Sequence, residues 1–107
     1  MDFEKILQEL KNSLTFLFND KYSEFSKESK KDIELFLNES KDKLKRWTSL
    51  LAQGKLNLED FEWLVESQKD LFKMKALQTA GISKISLGHF KNKVVKTIVD
   101  TIKVLVF

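Results

Sequence analysis

The chain has 107 residues and a mass of 12.5 kDa, a size that argues for one domain spanning 1–107. Hydrophobic residues at 42% and charged residues at 33% describe a folding chain rather than a disordered one, and the lack of cysteine excludes disulfides, thiol nucleophiles and thiolate metal sites. The net charge of +3 is uneven: residues 1–53 balance to zero, 54–72 carry −3, and 73–107 set seven lysines against Asp100 alone for +6.

From the start the chain reads as helix. Phe3, Leu7, Leu10, Leu14 and Leu17 recur at spacings of four and three, which places them on one face. Tyr22, Phe25, Ile33, Phe36, Leu37, Leu44, Trp47, Leu50 and Leu51 form a second stripe, with Ser29 and Ser40 on it as small residues that let a neighbouring backbone come close. Between the two lies Asn19-Asp20-Lys21-Tyr22-Ser23, poor in helix formers but without glycine or proline. Asp20 or Ser23 is placed to cap a new helix there. The apolar stripe nevertheless passes through without a gap, so the expectation is one continuous or kinked helix over 2–53. Phe3, Leu14, Phe25, Phe36, Trp47 and Leu58 also stand eleven apart. Three helical turns take about 10.8 residues, so core packing accounts for that spacing, although some lipid-binding helices share it.

The clearest signal is LLAQGKLNLEDFEWL, residues 50–64. Gly54 stands where a helix wants a C-terminal glycine, and Asn57 precedes Leu58 as an N-cap followed by first-turn acids. Leu56 and Phe61 form the apolar pair that brackets such a cap. These features predict a tight helix–helix turn at 53–57.

From Leu58 a helix is expected to run toward Thr79, with Leu58, Phe61, Val65, Phe72 and Ala76 on one face and Trp63, Met74 and Leu77 on nearly the opposite one. Two apolar faces imply two neighbours. Gly81 followed by Ile82 and Ser83 marks a second candidate break, competing with a continuous helix through the glycine. In VVKTIVDTIKVLVF, Lys93, Lys96, Asp100 and Lys103 fall three, four and three apart. That period outvotes the strand propensity of the valines and isoleucines and predicts a helix, with 104–107 frayed or given to a partner.

Little in the sequence points to catalysis. His89 is the sole histidine and falls near Lys93 and Lys96 on the polar side of its helix. With no second histidine, Glu62 and Glu66 lack the Glu-x-x-His partners of a carboxylate di-metal site. The serines have no base but His89 and no glycine-flanked elbow. The expectation is a non-enzyme with no cofactor and no metal. The opening MDFEKILQEL has acids where a secretory leader needs basic residues, and the longest aliphatic and aromatic run is Val104–Phe107. No transmembrane segment and a cytoplasmic location are expected.

The predicted fold is therefore all-α: a long antiparallel helical hairpin, 2–53 against 58–107, with its arms continuous or broken near residues 20 and 81. Unbroken arms of about 50 residues would be about 75 Å long, whereas a compact domain of this size has a radius of gyration of about 13 Å. The hairpin leaves wide apolar stripes half covered and so predicts a homodimer completing a four-helix bundle; two real breaks would give a monomeric up-down bundle instead. The interface expected on this basis comprises Trp63, Met74, Leu77, Phe90, Ile98, Ile102, Leu105 and Phe107. Lys84, Lys91, Lys93, Lys96 and Lys103 form a candidate basic surface. The functional expectation is a self-associating scaffold or protein-interaction module. The alternative is a peripheral protein that binds anionic lipid or another apolar surface through its basic C-terminal third. The absence of arginine and of a recognition motif in that third disfavours nucleic acid.

Overall fold

The computed structural model describes residues 2–107, with the side chains of Phe25 and Ser26 left aside, and every regular element among them is helical. The helices are α1 (Phe3–Tyr22), α2 (Ser26–Ala52), α3 (Leu58–Glu66), α4 (Lys75–Thr79) and α5 (Lys84–Val106). Short 3-10 turns occupy Ser23–Phe25 and Lys69–Leu71. The molecule measures 42 × 24 × 21 Å with a radius of gyration of 13.6 Å. Arms of 75 Å are thereby excluded.

The first half is not one helix. Lys11 pairs with Glu34 at 3.0 Å and Glu4 with Lys41 at 2.7 Å, so α1 and α2 lie antiparallel. Asp20 lies within α1 and Ser23 within the turn that follows it, before α2 begins at Ser26. Helix α1 runs on to Tyr22, and a 3-10 turn with right-handed backbone at Ser23 tightens the chain into the reversal. Residues of low helix propensity sufficed for a bend that carries no glycine. The stripe on α1 is also rotated slightly from its expected phase: Phe3, Ile6, Leu10, Leu14 and Phe18 are buried, while Leu7 and Leu17 are only partly so. Phe25, assigned to the next stripe, lies outside the described side chains.

Both ion pairs are surface-exposed and contribute modestly. The Lys11 ammonium, by hydrogen bond and then by charge, holds Glu34 below the usual carboxylate range, while Glu4 raises Lys41 in the same two ways. A depressed carboxylate stabilises above its unfolded pKa and loses that contribution as pH falls through the folded value. A raised lysine stabilises below its unfolded pKa and loses it as pH climbs through the folded value. Both contributions are complete at neutral pH.

The 53–57 turn forms as its residues predict. Gly54, at φ +74°, donates to the Leu51 carbonyl at 3.1 Å, and Lys55 N–H reaches Leu50 at 2.9 Å. This doubly bonded ending requires left-handed backbone at the glycine. Asn57 then accepts from the Asp60 N–H at 2.7 Å and opens α3. Gly81 closes α4 in the same way: its N–H bonds to Gln78, Ile82 N–H bonds to Leu77, and Ser83 Oγ accepts from Ser86 N–H at 3.1 Å to cap α5. A continuous helix through 81 is ruled out.

The helix expected from Leu58 toward Thr79 is broken. It stops at Glu66, where Ser67 Oγ donates back to the Leu64 carbonyl at 2.5 Å and the Gln68 N–H tightens onto Val65 at 3.0 Å. The chain crosses 67–74 irregularly, passes through left-handed backbone at Met74 (φ +49°), and restarts as α4. A straight helix would set Phe72 on one side and Met74 and Leu77 on the other. The break turns all three inward, to 1%, 0% and 0% exposure. For Phe72, Met74 and Leu77 the two apolar faces marked an interruption of the helix, while α3 itself does have two neighbours, α2 and α5.

Around these elements α1 packs on α2 and α5, and α3 packs on α2 and α5. Ser13 Oγ and Thr101 Oγ1 meet at 3.0 Å and Phe18 meets Phe90, which sets α1 and α5 antiparallel. One core results, to which α1, α2, α3, α4, α5 and Phe72 all contribute. At one end, Phe72 stacks on Phe18 at 5.7 Å and leans on Phe36 at 4.8 Å, while Phe90 meets Phe18 and Tyr22 edge-on at 4.8 and 5.0 Å. The described members of the eleven-residue series are core or partly buried and divide among α1, α2 and α3. The helical face of α5 is as expected: Leu87, Phe90, Val94, Ile98 and Ile102 are buried, and the Lys93, Lys96, Asp100 and Lys103 row is exposed.

Ser29, Ser40 and Thr48 of α2 are fully buried, and their hydroxyls find no partner among the described residues. Truncating Phe72 to alanine is expected to cost about 3–5 kcal/mol in denaturant unfolding. Ser40→Ala is expected to leave stability unchanged or raise it by up to about 1 kcal/mol, because an unpartnered hydroxyl is removed. A loss above that size on Ser40→Ala would show that its hydroxyl is bonded in solution.

Candidate functional site

Of the chemistry-bearing residues, His89 is exposed on α5 and lines an open groove of about 580 Å³ with Lys69, Asp70, Lys84 and Lys91. Lys91 approaches Asp70 at 3.9 Å there, and no carboxylate is held against the imidazole in the manner of a general-base pair. Glu62 and Glu66 of α3 face α5 across a second groove of about 560 Å³ that also contains Lys96, Asp100 and Lys103. Acids of the 54–72 segment thus lie alongside the basic helix and partly offset its field. Among the described residues no group of three histidine, aspartate or glutamate side chains is close enough to hold a metal ion. Nor is any helix among the described residues long and apolar enough to cross a membrane.

The candidate basic residues divide by position. Lys96 and Lys103 line the groove shared with Glu62 and Glu66, Lys84 and Lys91 line the His89 groove, and Lys93 is exposed on α5. The eight candidate interface residues divide more sharply. Met74, Leu77, Ile98 and Ile102 are at 0% exposure and Phe90 is at 2%, so these five belong to the interior of the single chain. Trp63, Leu105 and Phe107 remain on the surface, at 74%, 46% and 76%.

Three further large apolar residues are exposed that the sequence reading did not single out as a surface, Phe16, Leu35 and Ile85; Val104, also exposed, belongs to the 104–107 end expected to be frayed or given to a partner. The signal was present for two of them. Phe16 and Leu35 both lie off the apolar stripe of their own helix, at 100° per residue, just as Trp63 does. A large apolar residue on the polar side of an amphipathic helix is the pattern to look for.

Trp63 projects from α3 on the side opposite the buried Phe61 and Val65. Glu59 and Glu66, one turn away in either direction, flank it, and Glu62 and Asp60 are adjacent; all four are exposed. Glu66 also pairs with Lys69 at 3.5 Å and Glu62 lies toward α5, so the indole stands among acids only partly unpaired, on a helix with no basic residue in its length.

A further apolar opening lies between α2 and α4, about 820 Å³ in volume. Leu35, Ala76 and Ala80 give it an apolar surface, and Lys27, Lys31 and Lys75 stand at its edges. Its wall is placed by a bond between segments far apart in sequence: the Asp32 carboxylate of α2 accepts from the Ala76 N–H at 3.0 Å and so caps α4. Met74, in the cap position, is left-handed and supplies no side-chain bond. A five-residue helix has little stability of its own, so Asp32 and the burial of Leu77 hold α4 where it is. No local pattern announces such a cap, since its two partners are 44 residues apart.

Compared with protein-family models, curated proteins and solved structures, the chain matches none. The class the coordinates define is an all-α protein of five mutually packed helices.

Replacing Asp32 by alanine is expected to cost about 1 kcal/mol, as loss of an N-cap does. Hydrogen exchange should localise the effect to the amides of α4. Unchanged protection at Ala76 would show that the cap does not hold in solution.

Proposed function

We propose that this chain folds by itself as an up-down-up-down four-helix bundle with an interrupted third arm, and that it acts as a non-enzymatic protein-interaction module by associating with copies of itself. The architecture is supported by the antiparallel α1–α2 and α1–α5 pairs and by the position of α3 between α2 and α5. One chain encloses its own core, so association serves surface residues rather than completing the bundle.

The observation that carries the functional reading is Trp63. Tryptophan presents a large apolar area, and an indole at 74% exposure is left largely uncovered by its own chain. Buried at an interface, such a residue commonly supplies a large share of the binding energy. Its carboxylate neighbours keep the monomer hydrated and select a basic counterpart.

A second reading rests on α5. Lys93, Lys96 and Lys103 share an exposed side with Ile85, Val104 and Phe107, an arrangement suited to anionic lipid. Glu62 and Glu66 alongside weaken it.

Light scattering on size-exclusion fractions across a dilution series tests the first reading. The mass should rise above 12.5 kDa with concentration, and Trp63→Ser should hold it at that value. A wild-type mass of one protomer at every concentration would overturn self-association. For the lipid reading, co-sedimentation with anionic vesicles at low salt should be lost in Lys96→Glu/Lys103→Glu; no wild-type binding would remove it.

A further inference from the structure

We infer that Trp63 of one copy seats in the α2–α4 groove of another. The inference rests on the self-association proposed above and names its two surfaces. The knob is an indole at 74% exposure with Glu59 and Asp60 one turn before it and Glu66, which also pairs with Lys69 at 3.5 Å, one turn after it. The groove carries the opposite charge at its edges, from Lys27, Lys31 and Lys75. Two acids also line it. Asp32 is turned onto the Ala76 N–H but keeps its charge, so three lysines stand against two carboxylates and the groove carries a net charge of +1. Carboxylates around the knob and ammonium groups around the groove bring the two together and disfavour knob against knob.

The apolar match is as specific as the charge match. Leu35 is 45% exposed, an otherwise unexplained surface leucine, and it forms one side of the groove. Ala76 and Ala80, one turn apart on α4, form the other side and are too small to fill the space between the helices. An opening of about 820 Å³ lies within the range of sites that enclose an aromatic ligand. An acidic helix laid across it, with its indole between Leu35 and the alanines, uses the helix-in-groove mode of recognition.

The joint cannot close within one chain. The 53–57 turn holds α3 beside the C-terminal half of α2, whereas the Asp32–Ala76 bond holds α4 beside its N-terminal half. Trp63 also points away from the core. The two surfaces are different patches of one molecule, so the joint forms reciprocally in a pair or repeats from copy to copy.

The test mixes two variants, Trp63→Ser, which removes the knob, and Ala80→Arg, which fills and charges the groove. Each alone should weaken association by roughly tenfold or more, the loss typical of a central interface residue. Circular dichroism and thermal melting should stay at wild-type values. Mixed in equal amounts, the variants retain one intact groove and one intact knob, and light scattering should show a species at twice the protomer mass. Should Ala80→Arg fail to fold, Lys31→Glu/Lys75→Glu replaces it, and the same restoration is expected with Trp63→Ser. If the wild type associates and the groove variants do so equally well, the groove takes some other occupant and the inference falls. It falls also if both variants are monomeric and their mixture remains so. A wild type that never associates instead defeats the underlying proposal, a separate outcome.

Discussion

The architecture depends on where Phe72 goes. Its ring lies between Phe18 of α1 and Phe36 of α2, in the aromatic cluster that also takes in Phe90 and Tyr22. Had α3 continued as a regular helix, Phe72 could reach that position only by directing Met74 and Leu77 outward. Burying a side chain of their size is worth about 1.5–3 kcal/mol each. Against that stand the backbone bonds interrupted over 67–74 and one left-handed non-glycine residue, Met74, at a cost of about 1–3 kcal/mol. Burial outweighs regularity, and the third arm gives up its helix to deliver three apolar side chains to one core.

The rest follows from that interruption. A continuous third arm would have matched the long second arm and left an apolar face for another chain to cover. The broken arm closes the core within one chain and leaves a short α4 held by Asp32 and Leu77. Because α4 presents alanines toward α2, a groove stays open beside Leu35. The same local economy that completes the interior thus leaves an apolar opening between α2 and α4.

How much was legible in the sequence depended on whether the cause was local. The turn at Gly54 and Asn57, the ending at Gly81 and the cap at Ser83 all follow from backbone freedom or a side chain bonding its own neighbours, and all can be read in a few residues. The face of α5 was legible because its lysine row repeats through three turns. The reversal at 22–26 carried only weak propensity, and its bend is stabilised by α1 lying on α2, a contact no local window contains. The break at 67–74 was misread for the same reason. Met74 and Leu77 looked like a second face because a helix was assumed; their opposition to Phe72 was the sign that the helix stops. For the surface, Trp63, Leu105 and Phe107 were recognised, while five of their proposed companions proved to be interior. The Asp32 cap could not be anticipated at any level short of the tertiary fold.

The most direct measurement is an isotope-edited NOE spectrum of the chain at a dilution where it is monomeric. The account predicts cross-peaks from the Phe72 ring to those of Phe18 and Phe36, with the helical amide connectivities of 58–66 stopping there and resuming at 75. Unbroken helical connectivities from 58 to 79, with no contact between Phe72 and Phe18, would contradict it.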